Sequence, residues 1–260
     1  MAFKTPLYFL LYVMILSFAT FCLAADDEPS YCSKAVYYKS EDGEGTPNGA
    51  CGLKEWGKKF NDGKVAAVSK LFKDGKGCGT CYEVKCKDKK WCSEKGVKIA
   101  VTDYGASGED VDFIMSEKGY GEMAKDEESK RYLFKKGVVK IEYKRVKCDY
   151  EKEKSDFVVK YDKKDSKWPD YHSLVALYKG DKDYIEKVKI FVKDEKKEKL
   201  ELKEMRRAYG AVWDIANYKP VPFVKIKKGK EEYFQWVEGM DEDKCESDDH
   251  SAKQAKDHLN

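Results

Sequence analysis

The sequence has little of what metal sites, nucleic-acid binding and glycosylation require. Its three histidines, His172, His250 and His258, match no metal-binding spacing. No Asn-x-Ser/Thr acceptor occurs, so N-glycosylation is not expected. The charges nearly balance, with a net charge of +3, and no basic cluster indicates nucleic-acid binding. Because both signs are mixed along the chain, a solvated surface is favoured over attraction to an acidic polysaccharide.

Long apolar stretches are absent after residue 24. The one that exists runs from Leu7 to Ala24, follows a lysine, and ends in small residues before two aspartates. This pattern predicts a secretory signal peptide over residues 1–24, cleaved near Ala24. An uncleaved signal anchor is the alternative, since the run is nearly long enough to span a bilayer. No membrane association is expected after cleavage.

Cysteine is scarce in the second half of the chain. Eight cysteines remain after signal cleavage, and only Cys245 lies beyond Cys148. An even number in a secreted chain is typical of disulfide bonds. The uneven distribution predicts a disulfide-rich domain over residues 25–148 and a second domain over residues 149–240. Residues 241–260 have seven acids against three lysines and are expected to form an acidic polar tail.

Alternation of apolar and polar residues predicts β-strands in both domains. In the first, the alternating stretches are CYEVKC, GVKIAVTDYG and GVVKIEYKRVKC. Short helices are predicted near DGKVAAVSKLF and KGYGEMAKD. In the second, six hydrophobic-polar stretches from DFVVKY to EYFQWV are separated by polar turns, which predicts a β-sandwich.

Several motifs together resemble those of plant expansins, in particular the expansin-like B type. They are NGACG, VAAVSKLFKDGKGCGTCYEVKC, VTDYG, DFIMS, YKRVKC and RAYGAVWDI. The resemblance covers nearly the whole mature chain. It implies a mainly β protein, in which a six-stranded double-psi β-barrel of the barwin/endoglucanase-like kind is followed by an Ig-like β-sandwich carbohydrate-binding domain.

The resemblance also implies disulfide pairs and a function. The implied pairs are Cys51–Cys78, Cys81–Cys148 and Cys86–Cys92, while Cys32 and Cys245 either pair with each other or leave a free thiol. The implied protein is secreted to the plant cell wall, needs no cofactor or metal and is monomeric. It binds cellulose or a matrix glycan and loosens contacts between wall polysaccharides without hydrolysis.

The stretch AVTDYGASGEDVDFIMS decides whether an enzyme is expected. Glycosidases use two carboxyl groups that flank the scissile bond. Typical expansins resemble a family of cellulases, and their motifs place a surviving Asp at Asp103 but the equivalent of the general acid at Ile114, which cannot donate a proton. The position of the base, in AVYYKS, also has no carboxylate. Hydrolysis is therefore not expected.

Two alternative functions remain open at this point. Asp112 lies two residues before Ile114 and would point to the same side of a strand, so it could replace the missing acid in a weak glycanase. The other alternative is a polysaccharide-binding or defence-type relative without loosening activity, because the loosening activity of expansins is expected to need the carboxylate that Ile114 replaces.

In the first domain, Asp103, Tyr104 and Tyr37 are the predicted polysaccharide-binding residues. Asp103 is either an acceptor for sugar hydroxyl groups, with Tyr104 beside it, or a turn residue that bonds its own backbone. Tyr37 and Tyr38 could line the same groove, or one could be buried and the other exposed on an edge strand.

In the second domain, aromatic side chains on a flat strand face would stack on sugar rings. Tyr209 and Trp213 alternate onto one face of a strand in RAYGAVWDI. The resemblance adds Tyr171 to this platform. Either Tyr209 or Trp213 could instead belong to the hydrophobic core, and the sequence leaves that choice open.

Overall fold

The computed structural model describes residues 30–105, 108, 110–150, 155–162, 170–194 and 199–240. The predicted signal peptide, Cys245 and the acidic tail lie outside these residues. Within the described ranges, no helix is long and apolar enough to cross a membrane. The same ranges contain no group of three metal-binding side chains.

Six strands close into a β-barrel in the order β1-β5-β2-β4-β3-β6. β1 pairs with β5 and β2 with β4 in parallel, and the other four pairs are antiparallel. The strands are β1 Tyr31–Tyr38, β2 Val65–Val68, β3 Cys81–Cys86, β4 Val97–Tyr104, β5 Val111–Ser116 and β6 Val139–Val146. The mainly β architecture with a closed six-stranded barrel confirms the predicted fold class.

Helices are short and lie outside the barrel strands. They are α1 Glu55–Lys58, α2 Glu117–Gly121 and α3 Glu127–Lys136, with two 3₁₀ segments, Phe60–Gly63 and Lys70–Gly75. The prediction of a helix near DGKVAAVSKLF is wrong, because VAAV forms β2 between β4 and β5 and is buried on both faces. A continuous apolar run of this kind fits a buried strand as well as a helix.

Eight further strands form two four-stranded antiparallel sheets. The first sheet has the order β11-β12-β8-β7 and the second β10-β9-β13-β14. The strands are β7 Phe157–Asp162, β8 Tyr171–Tyr178, β9 Ile185–Asp194, β10 Lys199–Glu204, β11 Arg206–Tyr209, β12 Val212–Ala216, β13 Pro220–Lys228 and β14 Glu231–Trp236. Buried side chains from both sheets, including Leu174, Ile190 and Val224, form one core between them.

The outer face of the first sheet is only partly exposed. At one end Val158, Val175, Leu177 and Val212 belong to the hydrophobic core of the barrel. Gly79 approaches so closely that a Cβ there would lie 2.8 Å from Leu177 Cδ2. The other end of this face carries polar and aromatic side chains and remains open to solvent.

Three disulfides hold the barrel together. They join Cys51 to Cys78, Cys81 to Cys148 and Cys86 to Cys92, which are the pairs that the resemblance implied. The described part of the sandwich contains no cysteine. Cys32 is a free thiol on the surface of β1.

Candidate functional site: a strip from the barrel to the sandwich

Asp103 lies next to the last residue of β4 and has the backbone-binding role, one of the two considered for it. Its Oδ1 accepts hydrogen bonds from the backbone N–H of Ala50, at 2.6 Å, and of Tyr104, at 2.7 Å. Its Oδ2 accepts no hydrogen bond from any residue that the structure describes. One carboxylate oxygen therefore fixes the loop at Ala50, and the other is available to a ligand. Tyr104 beside it is 56% exposed and packs edge-on against Phe72.

Ile114 of β5 and Asp103 of β4 lie at the same level of the barrel wall, on either side of β2. Ala67 of β2 pairs with Ile114 on one side and with Asp103 on the other. A Cβ at Gly105, the residue after β4, would lie 3.1 Å from Ile114 Cδ1. An aliphatic side chain thus occupies the position that matches the general acid of the related cellulases.

Asp112 does not replace the missing acid. The pairing of β1 with β5 shifts at this point, because Lys34 pairs with Val111 and Ala35 with Phe113, so Asp112 is an extra residue in the strand. Its Oδ2 accepts a hydrogen bond from Tyr143 Oη at 3.0 Å. Burial, and then the charge of Asp112, raise the pKa of Tyr143. The carboxylate of Asp112 is thus bound by β6, a strand that pairs with neither β2 nor β4, the strand of Asp103.

The assignment of Tyr37 to the groove is wrong. Its ring packs 4.9 Å from Tyr120 and 4.9 Å from Phe134, which belong to the helices outside the barrel. Its hydroxyl donates to the carbonyl of Phe134. Tyr38, in contrast to Tyr37, lies near Asp103. Burial is the main cause that raises the pKa of Tyr38, and the charge of Asp103 raises it further. Tyr38 Oη donates to the carbonyl of Glu44 and so helps to shape the loop beside the groove.

The motif RAYGAVWDI forms a hairpin, not one strand. Tyr209 ends β11 and pairs with Val212 of β12, and Gly210 has a positive φ of 47° in the turn. Tyr209 is 51% exposed, whereas Trp213 is only 3% exposed and lies in the core between the sheets. The prediction of Trp213 as a binding residue is therefore wrong, and of the two aromatics Tyr209 is the surface residue.

Tyr171 and Tyr209 lie on the same sheet face, beside an ion pair between the buried Asp214 and the exposed Arg206. Asp214 of β12 accepts hydrogen bonds from Arg206 Nε and Nη2, at 3.0 and 2.6 Å, and from Tyr171 Oη at 2.9 Å. The hydrogen bond from Arg206 is the main reason that the pKa of Asp214 lies below its usual range, and the Tyr171 hydroxyl adds to it. This network fixes the Tyr171 ring, which is 37% exposed.

Further polar residues, which the sequence analysis did not identify, lie on the same face of the first sheet. Ser173 Oγ donates to Asp162 Oδ2 at 3.0 Å, and Asp162 Oδ1 pairs with Lys54 of the barrel. Lys160 Nζ lies 4.2 Å from the ring centre of Trp56, in α1. In the sequence Trp56 stands alone among charged residues, and no periodic pattern marks it.

The hairpin joins the two halves of the site. Ala211 N donates to Cys51 O at 3.1 Å, and Ala50 is the residue whose N–H binds Asp103. A Cβ at Gly52 would lie 2.8 Å from Tyr209 Cε2, so the tyrosine ring packs directly on this loop. The result is one polar and aromatic strip, defined as Tyr104, Asp103, Tyr209, Asp214, Arg206 and Tyr171.

The strip is suited to sugar binding but not to hydrolysis. Tyrosines offer apolar rings with a polar rim, which stack on pyranose rings. Asp103 and Arg206 supply an acceptor and donors for hydroxyl groups, and Asp214 holds Arg206 and Tyr171 in place. Asp103 has no acid partner at Ile114, and Asp214 is held by Arg206, so the two carboxylates of the strip do not form a glycosidase pair.

Comparison with known proteins identifies the fold and the family of the chain. A family model of the double-psi β-barrel type, described as "Lytic transglycolase", matches residues 64–143. Two crystal structures of the expansin from Clavibacter michiganensis, one apo and one of a variant with cellohexaose, share the fold with TM-scores of 0.59 and 0.58. Each is 18% identical to this chain and covers 82% of it and 93% of the bacterial chain.

Sequence relatives are plant proteins. Expansin-like B1 of Arabidopsis thaliana is 40% identical over 210 residues, covering 80% of this chain and 79% of that protein. Expansin-like B1 of Oryza sativa subsp. japonica is 36% identical, covering 77% and 75%, and Expansin-like A2 of Arabidopsis thaliana is 35% identical, covering 79% and 74%. With this identity over most of each sequence, the chain belongs to the plant expansin family, among its expansin-like proteins.

Proposed function

We propose that this chain is a secreted cell-wall protein that binds wall polysaccharide along the strip and loosens its contacts without hydrolysis. The observation that carries the proposal is the continuity of the strip from Asp103 in the barrel to Tyr171 in the sandwich. The proposal includes removal of residues 1–24 and two domains, residues 25–148 and 149–240, that act together as a monomer.

The geometry supports binding of an extended glycan. Tyr104, Tyr209 and Tyr171 present exposed rings, and Asp103 Oδ2 has no partner among the described residues. A glycan chain could stack on the tyrosines while its hydroxyl groups bind Asp103 and Arg206. A related bacterial expansin was crystallised with cellohexaose, which supports a β-glucan as one ligand. Family membership and the missing acid agree with a non-enzymatic role.

Binding to cellulose and to isolated matrix glycans, followed by extension of a heat-inactivated wall strip under constant load, tests the proposal. Tyr209→Ala and Tyr171→Ala should each weaken binding about tenfold, in line with loss of one well-packed aromatic contact. Tyr218→Ala is the matched control, since Tyr218 is similarly exposed at 39% but lies outside the strip. Equal binding by all three variants would refute the proposed surface.

Ile114 supports a second candidate, a polysaccharide-binding protein without loosening activity. Ile114, which pairs with Ala67, has an aliphatic side chain at the position where loosening is expected to need a carboxylate. Ile114→Asp restores it and should not weaken binding along the strip. If the wild type binds but only Ile114→Asp extends walls, the second candidate is correct. Extension by the wild type itself would exclude it.

A weak glycanase is not supported, because Tyr143 holds Asp112. Release of reducing sugar by the wild type and its loss in Asp103→Asn would overturn this conclusion.

A further inference from the structure

Lys54 has a backbone conformation that lysine rarely adopts. It lies in the barrel loop on which Tyr209 packs, with φ 52° and ψ −137°. This conformation favours glycine, because in other residues the Cβ atom crowds the backbone. Leu53, only 5% exposed, anchors the loop on one side, and on the other the N–H of Gly57 donates to the carbonyl of Lys54. The loop therefore holds a lysine in a strained conformation that glycine would adopt without strain.

The ion pair that Lys54 forms does not explain a lysine at this position. Its Nζ pairs with Asp162 of β7, while 59% of the lysine side chain stays exposed. Ion pairs at exposed positions contribute little to stability, so this pair does not offset the backbone strain. The ammonium has three N–H donors, and among the described residues only Asp162 accepts from it. Donors of Lys54 are thus available to a ligand.

Lys54 lies beside the strip, over the same sheet face. Asp162 of β7 is directly opposite Ser173 of β8, which is directly opposite Asp214 of β12, so the three residues share one face. Neighbouring strands lie about 4.8 Å apart, which places Asp162 about 10 Å from Asp214 of the strip. Ser173 Oγ donates to Asp162 Oδ2 and so helps to fix the partner of the ammonium. The polar face is therefore wider than a single sugar ring on the strip.

We propose that Lys54 is a binding residue for a sugar that lies beside the glycan chain on the strip. Its ammonium donates hydrogen bonds to hydroxyl groups of that lateral sugar, while Asp162 holds the ammonium in place. The lateral sugar belongs either to a branch of the same chain or to a neighbouring chain, since both present the same hydroxyl groups. The inference rests on the proposed function, because the strip has to bind the main chain.

Titration of the protein with three probes tests the role of Lys54. Cellohexaose has no lateral sugar, a cello-oligosaccharide with xylose branches has lateral sugars on the same chain, and insoluble cellulose has neighbouring chains. Lys54→Met removes the ammonium and keeps most of the side-chain length. It should weaken binding of the branched oligosaccharide or of cellulose about tenfold, as expected for loss of hydrogen bonds from a charged group. Binding of cellohexaose should change by less than about twofold.

The pattern of losses identifies the source of the lateral sugar. A loss with the branched oligosaccharide identifies a branch, and a loss with cellulose alone identifies a neighbouring chain. No loss with either probe, or an equal loss with cellohexaose, would overturn the inference.

Two further variants separate binding from folding and from a general loss of charge. Lys54→Gly fits the backbone conformation without strain, so it should fold and show the same losses as Lys54→Met. Lys187→Met is the matched control, because Lys187 is similarly exposed, at 50%, and pairs with Glu204 on the second sheet. It should change binding of every probe by less than about twofold. Equal losses in Lys187→Met and Lys54→Met would refute a specific contact.

Tyr209→Ala distinguishes failure of this inference from failure of the proposed function. It should weaken binding of all three probes about tenfold, since each lies on the strip. If Tyr209→Ala weakens binding and the Lys54 variants do not, only the lateral role of Lys54 is wrong. If Tyr209→Ala leaves binding of cellohexaose unchanged, the strip is refuted, and the role of Lys54 with it.

Discussion

The barrel carries three disulfides between Cys51 and Cys148, whereas the described sandwich has none and depends on the core between its sheets. The strip crosses from one to the other. Its barrel end is fixed by a loop that ends in the Cys51–Cys78 bond, and its sandwich end by hydrogen bonds around Asp214. The comparison suggests that the shape of the site depends on covalent restraint on one side and on packing and ion pairing on the other.

The largest expected effect on stability comes from removing a disulfide of the barrel. Replacing Cys81 and Cys148 together by alanine should lower the free energy of unfolding by about 4 kcal/mol, because the bond closes a long loop with a sequence separation of 67. Removing Cys86–Cys92, with a separation of only 6, should lower it by about 2 kcal/mol. Urea unfolding followed by circular dichroism measures both values.

The exposed thiol provides the control for these cysteine variants. Cys32→Ser should change the free energy of unfolding by less than about 0.5 kcal/mol, since it breaks no disulfide of the described residues, creates no cavity and keeps an acceptor for Lys87 Nζ. Equal losses for the long-loop and short-loop disulfides would contradict the loop-length explanation.

A pair of leucines on β8 separates the sandwich core from the junction. Leu174 points into the core between the sheets, and Leu177 points to the barrel. Each change to alanine should lower the free energy of unfolding by about 3 kcal/mol, because both side chains are buried. In calorimetry, Leu177→Ala should also separate unfolding of the barrel from unfolding of the sandwich, while Leu174→Ala should mainly weaken the sandwich. Identical thermograms for the two variants would show that the junction does not couple the halves.

The smallest effect concerns the ion pair in the strip. Asp214→Asn should lower the free energy of unfolding by about 2 kcal/mol at pH 7, since it breaks charged hydrogen bonds. The pKa of Asp214 is lowered in the folded protein, so the contribution of its charge is complete above its unfolded pKa, about 4. That contribution is lost as the pH falls through the lower folded value.

The difference between the wild type and Asp214→Asn should therefore shrink as the pH drops below about 4. Urea unfolding at pH 7 and pH 3 measures it. Glu122→Gln is the control, because Glu122 is exposed and forms no ion pair with the described residues. A difference that stays constant between the two pH values would mean that the charge of Asp214 does not stabilise the fold.

Strand prediction succeeded where one face of the strand meets solvent or a loop. CYEVKC, now β3, alternates because its two faces differ in burial, and in GVKIAVTDYG, now β4, the alternation holds over Val97–Ile99. The pattern failed for VAAV, which is buried on both faces and so shows no alternation. Helix α3 was missed although it has clear ends, since Asp126 caps its first turn and Gly137 follows its last residue.

The candidate site was predicted only in part. Four predicted residues lie on the strip, namely Asp103, Tyr104, Tyr171 and Tyr209. Their role in polysaccharide binding stays a prediction. Tyr37 and Trp213 were misplaced because period-two alternation does not show which face is covered. In the structure, helices cover Tyr37 and the second sheet covers Trp213.

The sequence by itself determined the family, the mainly β fold class and the identity of the side chain at the acid position, because motif spacing and residue type are properties of the chain. Tertiary structure decided which aromatics face solvent, that Tyr143 holds Asp112, and that the loop at Ala50 and Gly52 joins Asp103 to Tyr209. These features depend on contacts between residues far apart in sequence, which local periodicity does not encode.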